Sequence, residues 1–283
     1  MKSTIAVLQM VATPDIDANL AQASQVLAQA AQQKVGFAVL PENFASFTSG
    51  RMQEVGREEA DRSGRIRTFV AEQARKHGLW LVAGSVPCAT RADGGSIEGR
   101  VRSASWLIDD QGNEVARYDK IHLFDVDVAD GQGSYRESSE VEPGDALTLA
   151  ETPWGKLGMA VCYDLRFPEL FRAYRQAGAE LISLPSAFTK KTGDAHWEVL
   201  IRARAIETQC YMLAANMGGI HTPKRVTNGD SMIVSPWGEV LNRLSQGPGC
   251  IAAECPREPM EAVRQAMPVM NHIRLDGMKS PDI

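Results

Sequence analysis

Hydrophobic positions along the chain follow two alternating periods, which predicts helices and strands in turn. From about Asn19 to Gln33 apolar residues recur at spacings of three and four, which is typical of one face of a helix. Ile5 to Met10 and Phe37 to Leu40 are instead short apolar runs, typical of buried strands. Further helices are predicted at about Ile66 to His77, Pro168 to Gln176, Asp194 to Cys210 and about Pro259 to Gln265.

Turn sequences between other apolar runs predict hairpins in the same fold. Asp110-Gln111-Gly112-Asn113 separates predicted strands over Ser103 to Asp109 and Val115 to Asp119, and two Pro-Trp-Gly turns separate two further strand pairs. No linker rich in Ser, Gly and Pro divides the chain. The pattern therefore predicts one α/β domain with mixed sheets over residues 1–283, with a core at about residues 3–255 and a C-terminal helix and tail at residues 256–283.

Composition and charge narrow the class of protein. Of 283 residues, 44% are hydrophobic and 23% are charged, which excludes a disordered chain. The net charge is −5, and no basic stripe with interleaved aromatic residues is present. The apolar runs are far shorter than the roughly 20 residues that span a bilayer, and the first residues lack the apolar segment of a signal peptide. We therefore expect a cytoplasmic protein with no nucleic-acid and no membrane partner.

The cysteines and histidines form no familiar disulfide or metal pattern. The five cysteines are scattered and odd in number, which does not suit a disulfide framework. The five histidines lack metal-ligand spacing, and the motifs GxxxxGKS/T, HExxH and GxSxG are absent from the sequence. The sequence therefore predicts neither a metal site nor an organic cofactor.

Three chemically reactive side chains lie just past the ends of predicted buried strands. They are Glu42, Lys120 and Cys162. Open α/β sheets place ligand sites beyond strand ends, so the three are candidates for one site. Cys162 also precedes a predicted helix that starts at Pro168, and a helix N-terminus favours a thiolate. Taken singly, the three are better explained as a solvated loop acid, a surface cation and a buried structural thiol, and only their combination favours a site.

The motifs around these side chains resemble those of the nitrilase superfamily of carbon–nitrogen hydrolases. In chain order they are Leu40-Pro41-Glu42-Asn43, Tyr118-Asp119-Lys120-Ile121-His122-Leu123 and Cys162-Tyr163-Asp164-Leu165-Arg166-Phe167-Pro168-Glu169-Leu170. The resemblance continues over essentially the whole chain, in Pro185-Ser186-Ala187-Phe188, Ala195-His196-Trp197-Glu198, Arg202-Ala203-Arg204-Ala205-Ile206-Glu207 and Pro236-Trp237-Gly238. The combination is most similar to the amidase branch that acts on deaminated glutathione, with the ω-amidases as close relatives.

The resemblance implies a fold and a reaction. The fold would be a four-layer α-β-β-α sandwich with two mixed sheets, which forms a homodimer or a higher homo-oligomer by stacking sandwiches. The reaction would be amide hydrolysis through a thioester on Cys162, with Glu42 as general base and acid and with release of ammonia. Lys120 and the backbone N–H of Tyr163 would stabilise the oxyanion. Glu137 matches the second acid of the family, or is an exposed loop acid; no metal or cofactor takes part.

The expected partner is a small-molecule amide substrate. Deaminated glutathione is favoured by the resemblance, and α-ketoglutaramate-like ω-amides, nitriles and N-carbamoyl compounds are alternatives. The first two substrates carry carboxylates, so we expect cations at the pocket, and Lys190, Arg225 and Arg166 are candidates. Lys190 reads equally well as a solvated loop cation, and Arg166 as the structural partner of an acid.

The sequence leaves the roles of some residues undecided. His122 and His196 either orient the loops of Lys120 and Glu42 or satisfy buried hydrogen bonds. Asp230 stands where many relatives have His, which leaves its surroundings undefined. Outside hydrolase chemistry, the alternatives are a non-catalytic regulator that binds an amide and a thiol-redox protein. The intact acid, lysine and cysteine speak against the first, and the lack of a CxxC pair speaks against the second.

Overall fold

Two mixed β-sheets face each other between layers of helices in the computed structural model, which describes residues 4–47 and 50–274. The α-helices of these ranges are α1 (Ile16–Gln32), α2 (Met52–Glu58), α3 (Arg65–His77), α4 (Pro168–Gln176), α5 (Lys190–Thr208) and α6 (Arg257–Ala266). The strands are β1 (Thr4–Gln9), β2 (Phe37–Val39), β3 (Trp80–Val82), β4 (Val86–Cys88), β5 (Arg102–Ile108), β6 (Glu114–Asp119), β7 (Asp125–Asp127), β8 (Ser134–Arg136), β9 (Leu149–Thr152), β10 (Gly155–Met159), β11 (Leu181–Ser186), β12 (Tyr211–Asn216), β13 (Ile220–Thr222), β14 (Arg225–Val226), β15 (Ser231–Val234), β16 (Val240–Leu244) and β17 (Gly249–Glu254).

The first sheet has the strand order β17-β1-β2-β3-β5-β4, and β6 pairs with β5. Strands β1, β2 and β3 are parallel, whereas β17, β5, β4 and β6 join by antiparallel pairing. The predicted hairpin around Asp110 is confirmed, because β5 and β6 pair Ser105 with Tyr118. Strands β2 and β6, which precede Glu42 and Lys120, therefore belong to the same sheet.

The second sheet has the strand order β16-β15-β12-β11-β10-β9. Its central strands β10, β11 and β12 are parallel, and β9, β15 and β16 pair antiparallel. The two Pro-Trp-Gly turns join β9 to β10 and β15 to β16, as predicted. Strand β10 precedes Cys162, so the nucleophile candidate comes from the other sheet.

Side chains on the central strands alternate between two cores. On β1, Ile5 and Val7 share a core with Met159 of the second sheet, whereas Ala6 and Leu8 share a core with residues of α1 and α3. The second sheet is covered on its other side by α4 and α5, whose buried faces join the first of these cores. The layers therefore run helix, sheet, sheet, helix in one domain, as the resemblance implied.

Helix boundaries differ from the prediction where side chains cap the backbone. Asp15 accepts the N–H of Asp17 at 2.8 Å, and α1 therefore begins before the predicted Asn19. The hydroxyl of Thr189 accepts the N–H of Thr192, and α5 begins at Lys190 rather than at Asp194. Helix α2 was not predicted at all.

Parts of the predicted domain lie outside the described residues, namely residues 1–3 at its start, residues 48–49 within the predicted core and residues 275–283 of the tail. Within residues 4–47 and 50–274, no helix combines the length and the apolar character needed to cross a bilayer.

Candidate active site

Glu42, Lys120 and Cys162 converge at one edge of the sandwich, although two sheets supply them. Lys120 directly follows β6, Glu42 follows β2, and Cys162 follows β10 at the start of a short 3-10 helix. The Nζ atom of Lys120 lies 2.8 Å from Oε1 of Glu42, and the charge of the same carboxylate raises the pKa of the Cys162 thiol. All three are at least nine-tenths buried. The structure thus brings together the three side chains that the sequence singled out.

The ammonium of Lys120 is held between two carboxylates. Besides Glu42, it donates to both side-chain oxygens of Glu137, each at 2.9 Å. Burial alone would lower the pKa of Lys120, but the negative charges of Glu137 and Glu42 outweigh it and raise that pKa well above its ordinary value. Lys120 is therefore a fixed cation at neutral pH.

Glu137 is bound from two directions and is not a free loop acid. Its Oε2 accepts the backbone N–H of Phe124 at 2.6 Å, and its side chain is 18% exposed. Burial raises the pKa of Glu137 above its ordinary value; the nearby Glu42 adds to this, and Lys120 opposes it. Glu137 therefore holds the ammonium of Lys120 together with Glu42.

Cys162 has a strained backbone and rests as a thiol. Its φ of 49° lies in the left-handed region, which residues other than glycine seldom adopt, and such strain clusters at functional sites. The backbone N–H of Ala187 bonds the sulfur. Burial and the charge of Glu42 nevertheless raise the pKa of Cys162 well above its ordinary value, and Lys120 opposes this only in part. The thiolate expected from the helix N-terminus is therefore wrong for the resting protein.

His122 contacts an acid that the sequence analysis missed. Its Nδ1 lies 2.7 Å from Oδ1 of Asp164, and its ring stacks on Phe167 with centroids 3.7 Å apart. Asp164 is completely buried. The available sign was its place two residues after Cys162, where an acid in a buried turn needs donors from elsewhere in the chain.

A cavity of about 450 Å³ opens over these side chains. Its lining includes Glu42, Lys120, Glu137 and Cys162 together with the aromatic residues Phe47, Phe124, Tyr135, Tyr163 and Phe188. Such a volume suits a small organic molecule, with a few polar groups fixing its orientation. Among residues 4–47 and 50–274, no group of three His, Cys, Asp or Glu side chains is arranged to hold a metal ion.

Arg225 lines this cavity with an incompletely bonded guanidinium. Its guanidinium lies over the rings of Phe47 and Tyr135, 5.2 Å and 4.9 Å from their centroids. Nη2 donates to the carbonyl of Ala187 at 3.2 Å, whereas Nη1 is buried with no hydrogen-bond partner in the described part of the chain. Asp130 adds negative charge nearby. A guanidinium that lines a cavity can donate hydrogen bonds to a carboxylate oxygen of a bound molecule.

The other two predicted cations, Lys190 and Arg166, lie outside the lining of the cavity. Lys190 is exposed on the first turn of α5, where Nζ lies 2.5 Å from Oδ1 of Asp194. Arg166 lies over the rings of Tyr163 and Phe188 and donates to Nδ1 of His196 at 3.2 Å. Of the three candidates, Arg225 alone is placed to meet a molecule in the cavity.

Asp230 does not line the cavity and instead bonds to residues of β16 and α5. Its carboxylate accepts Nε of Arg243 at 2.8 Å, and its carbonyl accepts Nε1 of Trp197 at 2.7 Å. Trp197 packs against Phe188, a residue of the cavity lining. With a φ of 60°, Asp230 occupies a left-handed position that Asp tolerates better than most residues. Asp230, which departs from the family pattern, thus links β16 to α5 through these two hydrogen bonds.

A thiol, a carboxylate and a fixed ammonium at the edge of a helix–sheet–sheet–helix sandwich define a hydrolase of carbon–nitrogen bonds. The family model for carbon-nitrogen hydrolases matches residues 4–265, and the chain belongs to that family.

Individual relatives agree with this assignment. The chain is 42% identical over 272 residues to the deaminated glutathione amidase of Yersinia enterocolitica, covering 96% of this chain and 93% of that relative. The crystal structure of the C. elegans NitFhit protein superposes with a TM-score of 0.85 at 36% identity, over 98% of this chain and 66% of that chain, slightly under two thirds of its length. Saccharomyces cerevisiae Nit3, a member of branch 10 of the nitrilase superfamily, gives a TM-score of 0.82 at 28% identity and 94% coverage of both chains.

Proposed function

We propose that the protein is an amidase that hydrolyses deaminated glutathione and releases ammonia. The observation that carries this proposal is the carboxylate of Glu42, which lies 2.8 Å from the ammonium of Lys120 and whose charge raises the pKa of the buried Cys162 thiol. A nucleophile, a base and a cation within reach of one another are the parts that acyl transfer requires. The relative from Yersinia enterocolitica bears the name of this activity.

In the first half of the reaction, Glu42 takes the proton of Cys162 as the sulfur attacks the amide carbon. The carbon–sulfur bond forms, and the carbonyl electron pair moves to oxygen. Lys120 and the backbone N–H of Tyr163 stabilise that oxyanion, since the lysine is cationic before the substrate arrives. Glu42 then returns the proton to the leaving nitrogen, and ammonia departs from the thioester.

In the second half, water replaces ammonia. Glu42 takes a proton from the water that attacks the thioester carbon, and the same oxyanion donors act again. The carbon–sulfur bond breaks, the sulfur of Cys162 recovers its proton from Glu42, and the carboxylic acid product leaves. A thiol at rest suits this cycle, because Glu42 removes its proton only as the sulfur attacks.

Glu137 is proposed as a supporting acid. Its two oxygens hold Nζ of Lys120 from one side, and Glu42 holds it from the other. With both contacts in place the ammonium has little freedom to turn away from a developing oxyanion. Its positive charge persists because both neighbouring carboxylates raise the pKa of Lys120 against the effect of burial.

Substrate choice is proposed to rest on Arg225. Deaminated glutathione carries a glycine carboxylate far from the amide that is cleaved, and the guanidinium of Arg225, which lines the cavity, is a suitable donor to it. Binding energy at such a remote group orients the reacting amide. Lys190 and Arg166 are assigned no contact with the substrate, because each is engaged outside the cavity.

An ammonia-release panel tests the assignment. The panel compares deaminated glutathione, α-ketoglutaramate, a simple nitrile and an N-carbamoyl compound under identical conditions. The highest kcat/KM is expected for deaminated glutathione. A higher value for α-ketoglutaramate would make the protein an ω-amidase, and a higher value for the nitrile or the carbamoyl compound would overturn the amidase assignment.

We also propose a cytoplasmic homodimer with one hydrolase domain over residues 1–283. Large apolar side chains are exposed on α5 and on the turn between β15 and β16: Val199 is 68%, Ile206 52% and Trp237 64% exposed. Exposed apolar groups that cluster in this way favour protein–protein contact. Light scattering at micromolar concentration tests the proposal, and a monomeric active enzyme would contradict it.

A further inference from the structure

Asp164 lies in the turn after Cys162, is completely buried and accepts four hydrogen bonds. Its Oδ2 accepts the hydroxyl of Tyr118 at 2.7 Å and the backbone N–H of Val161 at 2.8 Å. Its Oδ1 accepts the backbone N–H of His122 at 3.1 Å and lies 2.7 Å from Nδ1 of the same histidine. A carboxylate surrounded by donors in this way is fixed in position.

The donors come from both sides of the site. Tyr118 stands two residues before Lys120 and His122 two residues after it, whereas Val161 immediately precedes Cys162. One carboxylate of the second sheet therefore holds the segment around the lysine, at the end of β6, against the segment that carries the thiol. The stack of His122 on Phe167 closes the same contact from the side.

We propose that Asp164 is a positioning residue that sets the placement of Lys120 relative to Cys162. Asp164 touches neither the cavity nor the three reactive groups; it acts through the backbone on either side of them. The inference rests on the proposed amide hydrolysis, because the distance it controls is that between an attacking sulfur and an oxyanion donor. Small displacements at such a distance have large effects on rate, about 10²-fold for 1 Å.

The test compares two rates: ammonia release, which passes through an oxyanion, and chemical labelling of the Cys162 thiol, which does not. Methyl methanethiosulfonate transfers a methylthio group to the sulfur of Cys162 while methanesulfinate leaves, so this labelling forms no oxyanion on carbon. Tyr118→Phe is expected to lower kcat for ammonia release about tenfold and Asp164→Asn about hundredfold, with KM nearly unchanged. The rate of labelling at Cys162, followed by peptide mass spectrometry, is expected to fall far less.

Tyr211→Phe is the matched control. Its hydroxyl is also lost from a buried tyrosine, but it donates to the carbonyl of Pro256 at 2.9 Å, away from Asp164. This variant is expected to keep the wild-type ratio of ammonia release to labelling. Equal losses of ammonia release and labelling in Tyr118→Phe, or an unchanged kcat in that variant, would overturn the inference.

A crystal structure gives a readout that does not depend on the substrate. In Tyr118→Phe the separation of Lys120 Nζ from the sulfur of Cys162 is expected to exceed that in a crystal structure of the wild-type chain. An unchanged separation there overturns the inference even where the proposed function holds. A wild-type chain that releases no ammonia from any amide overturns the proposed function instead, and the separation still decides the role of Asp164.

Discussion

The ammonium of Lys120 lies 2.8 Å from the carboxylate of Glu42, although 78 residues separate them in sequence. Because both groups are buried, neither is free to leave the pair without uncovering an unpaired charge, which is costly in a protein interior. The base is therefore held beside the thiol by the same cation that is proposed to receive the oxyanion. This arrangement leads to the following expectations.

Replacement of the nucleophile should end turnover without unfolding the chain. Cys162→Ala is expected to show no ammonia release above background and a circular dichroism spectrum like that of the wild type. Burial raises the pKa of Cys250 to about 11 and of Cys255 to about 12, and neither lines the cavity, so alanine at either position should retain activity. Full activity of purified Cys162→Ala would refute the covalent mechanism.

Removal of the base should make the thiol more acidic while abolishing catalysis. The charge of Glu42 raises the pKa of Cys162, whereas Lys120 lowers it, so Glu42→Gln leaves only the charge that favours the thiolate. The midpoint of thiol labelling against pH is expected to move to lower pH in Glu42→Gln, and ammonia release is expected to vanish. A midpoint that moves to higher pH would contradict this electrostatic balance.

Changes at the lysine should affect rate and stability together. Lys120→Ala removes an oxyanion donor and is expected to cost on the order of 10²–10³ in kcat. It also leaves Glu42 and Glu137 buried without their cation, so the melting temperature should fall as well. Lys120→Arg should fail nearly as badly, because a planar guanidinium does not fit a site shaped for a point charge.

The lysine variants are measured by steady-state kinetics and thermal melting in parallel. Wild-type kinetics for Lys120→Arg would show that the site does not hold its cation tightly.

Substrate preference should depend on Arg225 and not on Lys190. We expect kcat/KM to be at least about tenfold higher for deaminated glutathione than for α-ketoglutaramate, roughly 1.4 kcal/mol. Arg225→Gln should narrow this ratio, because it removes the guanidinium that lines the cavity. Lys190→Gln is the control: this lysine is exposed and paired with Asp194, so the ratio should stay as in the wild type.

The ratio of the two kcat/KM values, measured for each variant, decides between the two cations. A loss of preference in Lys190→Gln with none in Arg225→Gln would reverse the assignment.

Filling the space at Gly158 should destabilise the strand that leads to the nucleophile. A Cβ at this position would lie 2.8 Å from the ring of Tyr174, whose hydroxyl bonds the carbonyl of Met159. Gly158→Ala is therefore expected to cost about 1–3 kcal/mol of unfolding free energy by overpacking. Urea denaturation measures this change, and an unchanged midpoint would mean that Tyr174 can move aside without cost.

The sequence predicted the helix ends and strand ends that residues close together in the chain determine. Pro168 opens α4 and Gly78 caps α3 with a φ of 60°, and both boundaries follow from the conformations that these residues favour. Strand ends likewise pointed to Glu42, Lys120 and Cys162, because each lies within two residues of the end of a predicted strand.

The features that the sequence did not predict depend on contacts that form only in the folded chain. Asp164 reads as a loop acid in sequence because the donors Tyr118 and His122 lie 46 and 42 residues away. The thiolate expected at Cys162 failed because burial and Glu42 outweigh the helix terminus, and neither effect is visible before the chain has folded. The start of α5 was missed because a single hydroxyl, that of Thr189, sets it.

The division of the site between two sheets has a consequence during synthesis. The first sheet supplies the base and the cation, and the second supplies the sulfur. A ribosome releases residues 42 and 120 well before residue 162, yet neither half of the chain alone holds a base next to a thiol. We therefore expect a nascent or partly unfolded molecule to carry an ordinary cysteine, and the proposed reactivity toward amides to arise only when the two sheets have closed on each other.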